Sequence, residues 1–335
     1  MPGSSMFYLA PRTGVPEMRR SLYGPMLRIA VNDPTNVPMA RSSEFAVRAE
    51  HLGFAGVGMP DHPHTGRDVF IRLSMAARDT TRVMLFPSVS NPVSRDPKSL
   101  AALGCTLAEL APGRVRLMLA SGDAAIDYVE KPPLPVAQMA NAVLITRQAL
   151  STEVVPPIKV PVYVNASSPR MLEVAGSTAD GVYPVVGVDP EVMREALASV
   201  QVGLQSTGRE FDGFDVAYGL PVFMAESREE ALESALDYAL ANLLSRNRVF
   251  SRVLRARSPH LSEISKASDL TTDQARHLVA AMVVYGTPLQ VAESVFALAE
   301  AQSLWHFIAR VEMANKDAVE AIENFASALD AASNC

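Results

Sequence analysis

Residues 160–190 read VPVYVNASSPRMLEVAGSTADGVYPVVGVDP and show the pattern on which most of the chain is built. The short apolar run Val162 to Asn165 is followed by small polar residues and then by Ser168-Pro169, a cap residue before a proline. That pair is typical of a helix start, because proline is tolerated in the first turn. The same order returns at Gly181 to Val186 and Asp189-Pro190. The stretch therefore predicts strands and helices in alternation.

Eight such apolar runs occur along the 335 residues, with amphipathic helical patterns between them. Most of the runs are continuously hydrophobic, as strands of a parallel sheet buried on both faces must be. Eight strands that alternate with helices about every 40 residues favour one closed α/β barrel, the (β/α)8 TIM barrel, over two doubly wound domains. The predicted strands are Met26 to Val31, Phe54 to Gly58, Arg82 to Val89, Val115 to Ala120, Val162 to Asn165, Gly181 to Val186, Val216 to Phe223 and Trp305 to Val311.

Two segments exceed the barrel pattern, although residues 1–335 are predicted to form a single domain. Residues 1–24 form a predicted N-terminal extension. Residues from about 242 to 285 form a predicted helical insertion between the seventh strand and the last helix. Because arginines and polar residues mix in the insertion, we expect a solvated or dimer-facing helix there; a lid over the site is the alternative.

The composition excludes several classes of function. Hydrophobic residues make up 48% and charged residues 20%, which is the balance of a globular protein. A net charge of −6 argues against nucleic acid as a partner, since phosphate binding needs a basic surface. No stretch approaches about 18 consecutive apolar residues, so we expect no membrane span. With only Cys105 and Cys335, the chain has no disulfide framework to suggest export, and a cytoplasmic protein is predicted.

The loop after the second strand holds the strongest candidate for proton transfer. In a barrel of this kind, catalytic groups follow the C-terminal ends of the strands. His62 follows such an end and can give or take a proton near neutral pH, although a loop histidine without a role is the alternative. Its neighbour Asp61 is predicted either to orient His62 or to cap the next segment. Asp61, His62 and His64 lack a further ligand cluster, so we predict no metal site.

Ser167, Ser168 and Arg170 form a candidate anion site after the fifth strand. Hydroxyl groups, free amides at a helix start and a guanidinium all favour a phosphate, although an ordinary Ser-Pro helix cap is equally compatible. Gly122 and Asp123 follow the fourth strand, where a glycine permits close approach of a flat ligand. The sequence contains no G-x-G-x-x-G after a strand, no P-loop and no G-x-S-x-G elbow, so the Rossmann, P-loop and hydrolase interpretations find no support.

Six segments in the same order resemble the luciferase-like monooxygenase superfamily, with most similarity to its deazaflavin-dependent, methylenetetrahydromethanopterin reductase-like branch. The resemblance covers about Met26 to Leu329. The segments are FAGVGMPDH (Phe54 to His62), SNPVSRDP (Ser90 to Pro97), GRVRLMLASGD (Gly113 to Asp123), VPVYVNASSP (Val160 to Pro169), STADGVYP (Ser177 to Pro184) and GTPLQVAES (Gly286 to Ser294).

The resemblance implies a (β/α)8 barrel that binds coenzyme F420, a deazaflavin, or FMN at its C-terminal mouth, usually as a homodimer. It implies an oxidoreductase that transfers hydride between a reduced deazaflavin and a small organic substrate. Two alternatives remain open. One is a two-component FMN-dependent monooxygenase supplied by a flavin reductase, and the other is a non-catalytic flavin-binding protein.

The resemblance also implies roles for individual residues. The Ser88-Val89 bond would be a non-prolyl cis peptide behind the ring of the cofactor, and Asn91 would lie near the ring edge. Ser167, Ser168 and Arg170 would hold the phosphate, His62 would face the substrate, and Gly122, Asp123 and Gly187 would belong to the cofactor site. The sequence departs from the family where Ser88, Met118, Ala120 and Ser121 replace usual glycines, which would narrow the space beside the ring.

Overall fold

A computed structural model of the chain describes residues 27–122, 126, 128–153, 158–245 and 248–333. The predicted extension, residues 1–24, and the candidate site residue Asp123 lie outside the described residues. The strands are β1 (Arg28–Asn32), β2 (Gly56–Met59), β3 (Met84–Pro87), β4 (Leu117–Leu119), β5 (Val162–Ala166), β6 (Gly181–Pro184), β7 (Asp215–Val216), β8 (Tyr218–Met224), β9 (Val284–Gly286) and β10 (His306–Met313). The helices are α1 (Glu44–His51), α2 (Val69–Asp79), α3 (Pro97–Leu110), α4 (Val136–Thr152), α5 (Pro169–Thr178), α6 (Pro190–Gln205), α7 (Arg228–Leu244), α8 (Val249–Arg257), α9 (Thr272–Met282), α10 (Pro288–Gln302) and α11 (Ala318–Ser333).

The strands form a parallel (β/α)8 barrel, which confirms the predicted fold. Strands β7 and β8 are separated only by Ala217 and count as one barrel strand, and the short β9 pairs with the end of β8. Their ladders run in two sheets, ordered β3-β2-β1-β10-β8-β9 and β4-β5-β6-β7. Isolated bridges at Leu85–Val115 and Ser90–Leu119 join β3 to β4. On the other side, the Ala217 amide between β7 and β8 donates to the carbonyl of Val182 in β6, at 2.9 Å. The two sheets thus meet through single bridges instead of through a continuous ladder.

Alternation of side chains along each strand separates two apolar layers. Leu117 and Leu119 of β4 join the large cluster packed between the strands and the helices, whereas Met118 joins a smaller cluster inside the barrel. Phe86 and Tyr183 fill the same interior. Since successive side chains of a strand point to opposite faces, a strand buried on both sides has to be apolar throughout.

The helix starts are where the sequence predicts them. Helices α5 and α6 begin at the prolines of the two predicted cap-proline pairs, and α3 and α10 begin in the same way at Pro97 and Pro288. The carboxylates of Asp96 and Asp189 accept hydrogen bonds from amides in the first turns of α3 and α6. Such caps satisfy backbone donors that have no partner within the helix. They also fix where each connecting loop at the C-terminal end of the barrel stops.

The insertion contains a short strand that the sequence analysis missed. Helices α8 and α9 lie within the predicted range, but Val284–Gly286 forms β9, which pairs with the end of β8 at Val222 and Val284. All three residues of β9 are buried. The run is short and directly follows a helical pattern, so its apolar residues were assigned to the helix. An apolar run of this length does not by itself distinguish strand from helix.

A cluster of charged and polar side chains closes the N-terminal end of the barrel. The carboxylate of Asp215 lies 2.9 Å from His306 Nδ1, accepts a hydrogen bond from the Tyr163 hydroxyl at 2.8 Å, and pairs with Arg28 at 3.2 Å and Arg116 at 3.4 Å. Burial alone would favour the neutral acid, but the His306 hydrogen bond and the neighbouring arginines hold the pKa of Asp215 well below its usual range. The cluster lies at the end of the barrel opposite the C-terminal mouth.

Candidate active site

The Asp61 carboxylate is held by side chains from the loop after β3. Asp61 is 2% exposed and accepts two hydrogen bonds from Arg95, at 2.9 and 3.0 Å, and one from the Ser90 hydroxyl at 2.7 Å. Helix α2 is instead capped by Asp68, whose carboxylate accepts from Phe70 N at 2.8 Å. Asp61 therefore neither caps the next helix nor contacts the His62 imidazole, which corrects both expected contacts. The carboxylate is instead engaged in a buried ion pair with Arg95 that anchors the loop. Neither expectation included this role.

His62 lies at the mouth with its ring available to a ligand. The residue is partly buried, and its ring stacks on that of the exposed His64, with 5.2 Å between the centroids. The Thr65 amide and hydroxyl both donate to the His62 carbonyl, at 3.0 and 2.8 Å, and so fix the turn of the backbone. Within the described part of the chain, neither ring nitrogen of His62 has a hydrogen-bond partner. The ring is thus placed by its backbone and by stacking, and both nitrogens remain free for proton transfer.

The Ser88-Val89 peptide bond is cis, as the resemblance implies. The adjacent Asn91 is 2% exposed, and its side-chain carbonyl accepts hydrogen bonds from Val93 N at 3.1 Å and from Ser94 N at 2.8 Å. That oxygen shapes the turn, so only the amide NH2 group of Asn91 is available to a ligand. The predicted position of Asn91 near a ring edge stays a prediction.

Asn32 is a polar group of the mouth that the sequence analysis did not select. It ends β1, and its amide nitrogen donates to the Tyr183 hydroxyl at 3.3 Å. Its carbonyl oxygen is buried and has no hydrogen-bond partner among the described residues. A Cβ on Gly58 would lie 2.5 Å from this oxygen, so the glycine makes room for it. The signal in the sequence is an amide that ends an otherwise apolar strand.

Ser167, Ser168 and Arg170 lie together at the start of α5. The Ser168 hydroxyl makes no capping hydrogen bond, so the ordinary Ser-Pro cap considered above is not what the structure shows. Arg170 is exposed and lines an outer crevice of about 320 Å³, and its guanidinium has no partner within the described residues. The carbonyl of Ser167 accepts a hydrogen bond from Val249 N at 2.7 Å. Among the described residues the Arg170 guanidinium has no partner and the Ser168 hydroxyl does not cap α5, while the insertion engages the backbone of Ser167. The predicted binding of an anion at these residues stays a prediction.

Steric constraints within the chain itself explain why the two candidate positions, 122 and 187, are glycine. Gly187 has φ +93°, and a Cβ there would lie 2.8 Å from the carbonyl oxygen of Ala281 and 2.9 Å from the Phe250 ring. Gly122 has φ +101°, and a Cβ there would lie 2.7 Å from Ile126. Both positions therefore require glycine for the packing of the chain itself. Their predicted contact with a cofactor stays a prediction.

The insertion is docked on the loops after β5 and β6. Val188 N and Asp189 N both donate to the carbonyl of Ala281 in α9, each at 2.9 Å. Arg257 of α8 donates to both oxygens of Asp189 at 2.8 Å, and Phe250 is fully buried. The insertion is therefore not simply a solvated helix, because its apolar side is buried against this side of the mouth. Whether it faces a second subunit stays a prediction.

A crevice of about 880 Å³ opens at the N-terminal ends of the strands, away from this mouth. Tyr163, Asp180 and Asp215 line it, together with Arg147 and Arg209, whose guanidinium groups donate to backbone carbonyls. Because catalytic groups of these barrels lie at the opposite end, we do not assign the chemistry to this crevice.

Residues 26–303 match the family model described as luciferase-like monooxygenase. The chain belongs to this family. The match spans most of the barrel and includes every candidate site residue. The luciferase-like resemblance of the sequence segments is thereby confirmed.

Curated proteins with similar sequences include an F420-dependent dehydrogenase and a reductase. The chain is 29% identical over 290 residues to an F420-dependent glucose-6-phosphate dehydrogenase of Microbacterium testaceum, covering 70% of this chain and 85% of that protein. It is 28% identical over 207 residues to the 5,10-methylenetetrahydromethanopterin reductase of Archaeoglobus fulgidus, covering 56% of this chain and 61% of that reductase. The prediction of an oxidoreductase of the luciferase-like family agrees with both relatives.

Solved structures of the luciferase-like fold include proteins named for each predicted cofactor. The F420-dependent tetrahydromethanopterin reductase of Methanopyrus kandleri superposes with a TM-score of 0.73 at 19% identity, covering 92% of this chain and 99% of that one. The oxygenating constituent of 3,6-diketocamphane monooxygenase of Pseudomonas putida, solved with FMN, gives 0.61 at 14% identity, covering 92% and 97%. At these identities the likeness establishes the fold. F420 and FMN are thus the two cofactors found among proteins like this luciferase-like chain.

The residues at the mouth fit such a cofactor. A flavin-type ring carries N–H donors and carbonyl acceptors, and the buried Asn32 oxygen is an acceptor that lacks a donor. The free Ser168 hydroxyl and Arg170 guanidinium suit a phosphate. Met118, one of the departures from the family pattern, packs inside the barrel with Phe86 and Tyr163. Among the described residues, no three His, Cys, Asp or Glu side chains come together as metal ligands, and no helix is long and apolar enough to cross a bilayer.

Proposed function

We propose that this luciferase-like chain is an F420-dependent oxidoreductase that transfers hydride between the deazaflavin and a small organic substrate. The observation that carries the proposal is His62, a histidine that follows β2 at the barrel mouth and whose ring nitrogens have no hydrogen-bond partner among the described residues. The F420-dependent relatives support the choice of deazaflavin over FMN.

His62 supplies the proton that must accompany the hydride. The bound cofactor, when reduced, supplies the hydride itself. Reduction of an uncharged acceptor leaves negative charge on the substrate, and a proton from His62 neutralises it; in the reverse direction His62 removes that proton. A histidine suits this task because it exchanges protons near neutral pH, and general acid–base help is worth about 10²–10⁴ in rate.

Other residues hold the cofactor. The side-chain carbonyl oxygen of Asn32 would accept a hydrogen bond from the cofactor, and the Ser88-Val89 segment would contact its ring. Ser167, Ser168 and Arg170 would bind the phosphate, and Gly122 and Gly187 would belong to the cofactor site; Asp123, predicted for the same site, lies outside the described residues. The docked insertion excludes water from the side of the mouth formed by the loops after β5 and β6.

The decisive experiment titrates the purified protein with F420 and with FMN. We expect F420 to bind at least about tenfold more tightly, a difference of about 1.4 kcal/mol. F420 reduction by glucose 6-phosphate, and oxidation of reduced F420 by methylenetetrahydromethanopterin, then test the substrates named by the relatives. Preferential binding of FMN, with oxygen consumed by its reduced form, would instead identify a two-component monooxygenase. Tight binding of either cofactor with no turnover on any acceptor would identify a flavin carrier.

A further inference from the structure

One arginine joins the two ends of the loop that carries His62. The loop runs from Pro60 to Asp68 and is called here the histidine loop. Arg95, in the segment before α3, donates to Asp61 at its beginning through Nε and Nη2, at 2.9 and 3.0 Å. The same Nη2 donates to Asp68 at its end, at 2.8 Å. The guanidinium therefore connects the two ends of the loop by binding both Asp61 and Asp68.

The contacts require the planar shape of a guanidinium. Asp61 is engaged by two nitrogens of one fork, while the face of the guanidinium lies 5.2 Å from the centre of the Phe70 ring. A lysine ammonium would keep the charge but would lose the bidentate geometry and the stacking. Arg95 is 21% exposed and Asp61 only 3%, so water competes little for these hydrogen bonds.

The charge on Arg95 is permanent at any pH at which the protein works. Burial alone would lower the pKa of Arg95, but Asp61 and Asp68 together raise it well above its usual value. Burial likewise would raise the pKa of Asp68, and the Arg95 hydrogen bond lowers it. The guanidinium therefore keeps its charge and its hydrogen-bond donors, as a fixed support of the loop requires.

Besides Arg95, the Ser90 hydroxyl also holds the beginning of the histidine loop by donating to Asp61 at 2.7 Å, and most of the remaining bonds described for the loop are local. Thr65 N donates to the His62 carbonyl at 3.0 Å and Gly66 N to the Pro63 carbonyl at 3.0 Å, both within the loop. Arg67 reaches outside the loop to the Asn36 side chain at 2.5 Å. These bonds shape the turn, whereas Arg95 fixes where the turn stands relative to the strand ends.

We propose that Arg95 is the positioning residue for His62. It holds the backbone on both sides of the imidazole and so sets the place from which the proton is delivered. The catalytic consequence rests on the function proposed above, whereas the mechanical one does not.

The test compares Arg95→Lys and Arg95→Gln with the wild type by two measurements on the full chain. The first is hydrogen exchange at the Thr65 and Gly66 amides. The second is the ¹H–¹³C cross-peak of the His62 imidazole, assigned with His62→Asn. We expect exchange at least tenfold faster at both amides and a displaced or split cross-peak, with Arg95→Gln more affected than Arg95→Lys.

Two further variants separate positioning from general stability. Arg147→Gln is the matched control, because Arg147 also binds a carboxylate and a backbone carbonyl, those of Asp180 and Thr178, but at the other end of the barrel. It should leave the His62 cross-peak unchanged. Asp68→Asn keeps a capping oxygen for α2 but weakens one arm of Arg95, and should give exchange about threefold faster. Asp68→Asn keeps the test decisive if Arg95→Gln fails to fold. Unchanged exchange and an unchanged cross-peak in both Arg95→Lys and Asp68→Asn would overturn the proposal.

Turnover supplies the catalytic part of the test. With a substrate that the wild type accepts, Arg95→Lys should lower kcat about tenfold while the Kd for F420 stays within twofold. Equal kcat values in Arg95→Lys and the wild type would overturn the link to His62. If the wild type neither binds F420 nor transfers hydride, the proposed function fails, yet the exchange and cross-peak data still decide whether Arg95 positions His62.

Discussion

At the scale of single residues, His62 and His64 stack on one another but differ in exposure. His62 is partly buried at the strand end, and His64 is exposed. We predict that His62→Asn lowers the single-turnover rate of reduced F420 reoxidation by about 10²–10⁴. The affinity for F420 should change by no more than a few fold. His64→Asn, which removes only the stacking partner, should have a much smaller effect. Equal rates for the wild type and His62→Asn would mean that another group supplies the proton.

Arg170 tests the anion site. Its guanidinium is exposed and free, so its removal leaves no buried group without a partner. We predict that Arg170→Ala weakens F420 binding by about 1–3 kcal/mol, the range for loss of a charge-assisted hydrogen bond. Fluorescence titration measures the change, and the same variant should bind a cofactor fragment without phosphate as the wild type does. An unchanged affinity for F420 would remove Arg170 from the site.

Substitution of Asn32 should affect the affinity for F420 and the stability of the cofactor-free protein differently. Its buried carbonyl oxygen lacks a partner, and such a group costs about 1–3 kcal/mol. Asn32→Ala should therefore lower F420 affinity about tenfold but change the Tm of the cofactor-free protein little, because it removes both the unpartnered oxygen and the hydrogen bond to Tyr183. Ser42→Ala is the control, since the Ser42 hydroxyl is also buried without a partner among the described residues. Unchanged F420 affinity in Asn32→Ala would show that the oxygen does not meet the cofactor.

The residues also show what a sequence can and cannot predict about a site. His62 was found because its chemistry is visible in its type and its place after a strand. The partner of Asp61 was not, because adjacency to His62 suggested a contact that the side chains do not make. Arg95 is separated from Asp61 by 34 positions, and only the barrel brings them together. Asn32 was passed over because a missing partner is a property of three-dimensional packing.

At the scale of elements, the strands and helices were largely predictable, while their docking was not. Continuous apolar runs and cap-proline pairs are local signals, and they placed β5, α5 and α6 correctly. The attachment of the insertion depends on Gly187, Phe250 and Ala281, which are far apart in sequence and carry no mutual signal. The sequence therefore predicts a solvated or dimer-facing helix, with a lid over the site as the alternative, whereas the structure buries one side of the insertion against the loops after β5 and β6.

Gly187→Ala tests that docking. The residue has φ +93°, and the added methyl group would lie 2.8 Å from the Ala281 carbonyl oxygen. We predict a loss of about 2–4 kcal/mol in the free energy of unfolding, combining the left-handed backbone with the clash. Hydrogen exchange at Val188 and Asp189, which donate to Ala281, should also accelerate. Gly208→Ala is the matched control, because φ there is +67° and nothing lies within 4 Å of an added Cβ. Equal losses in the two variants would mean that the backbone conformation alone accounts for the effect.

At the scale of the whole molecule, the barrel separates two polar ends across an apolar interior. Among the described residues, the mouth contains polar atoms without hydrogen-bond partners, such as the Asn32 side-chain oxygen and the His62 ring nitrogens, whereas the N-terminal cluster is paired around Asp215. This contrast agrees with a barrel whose C-terminal mouth binds ligands and whose N-terminal end contributes to stability. It also predicts that substitutions at Asp215 affect stability and leave cofactor affinity unchanged.

The pH dependence of stability follows from the N-terminal cluster around Asp215. Burial lowers the pKa of His306 below its ordinary 6.5, and the facing Asp215 only partly opposes the shift. Folded His306 is therefore neutral where the unfolded chain begins to take up a proton. Its contribution is fully present above pH 6.5 and is lost as the pH falls through the lower folded value. Asp215 adds a second loss, which begins below its ordinary 3.8.

We therefore predict that the free energy of unfolding decreases over the interval just below pH 6.5, where most carboxylates are still ionised. Denaturant titrations at several pH values measure this decrease for the wild type and for His306→Gln. The variant lacks the titrating imidazole, so its stability should vary less over this interval, even if it is lower at pH 7. Asp215→Asn should destabilise the protein even at pH 7, because it leaves Arg28 and Arg116 without their carboxylate. Parallel pH profiles for the wild type and His306→Gln would show that His306 is not the group responsible.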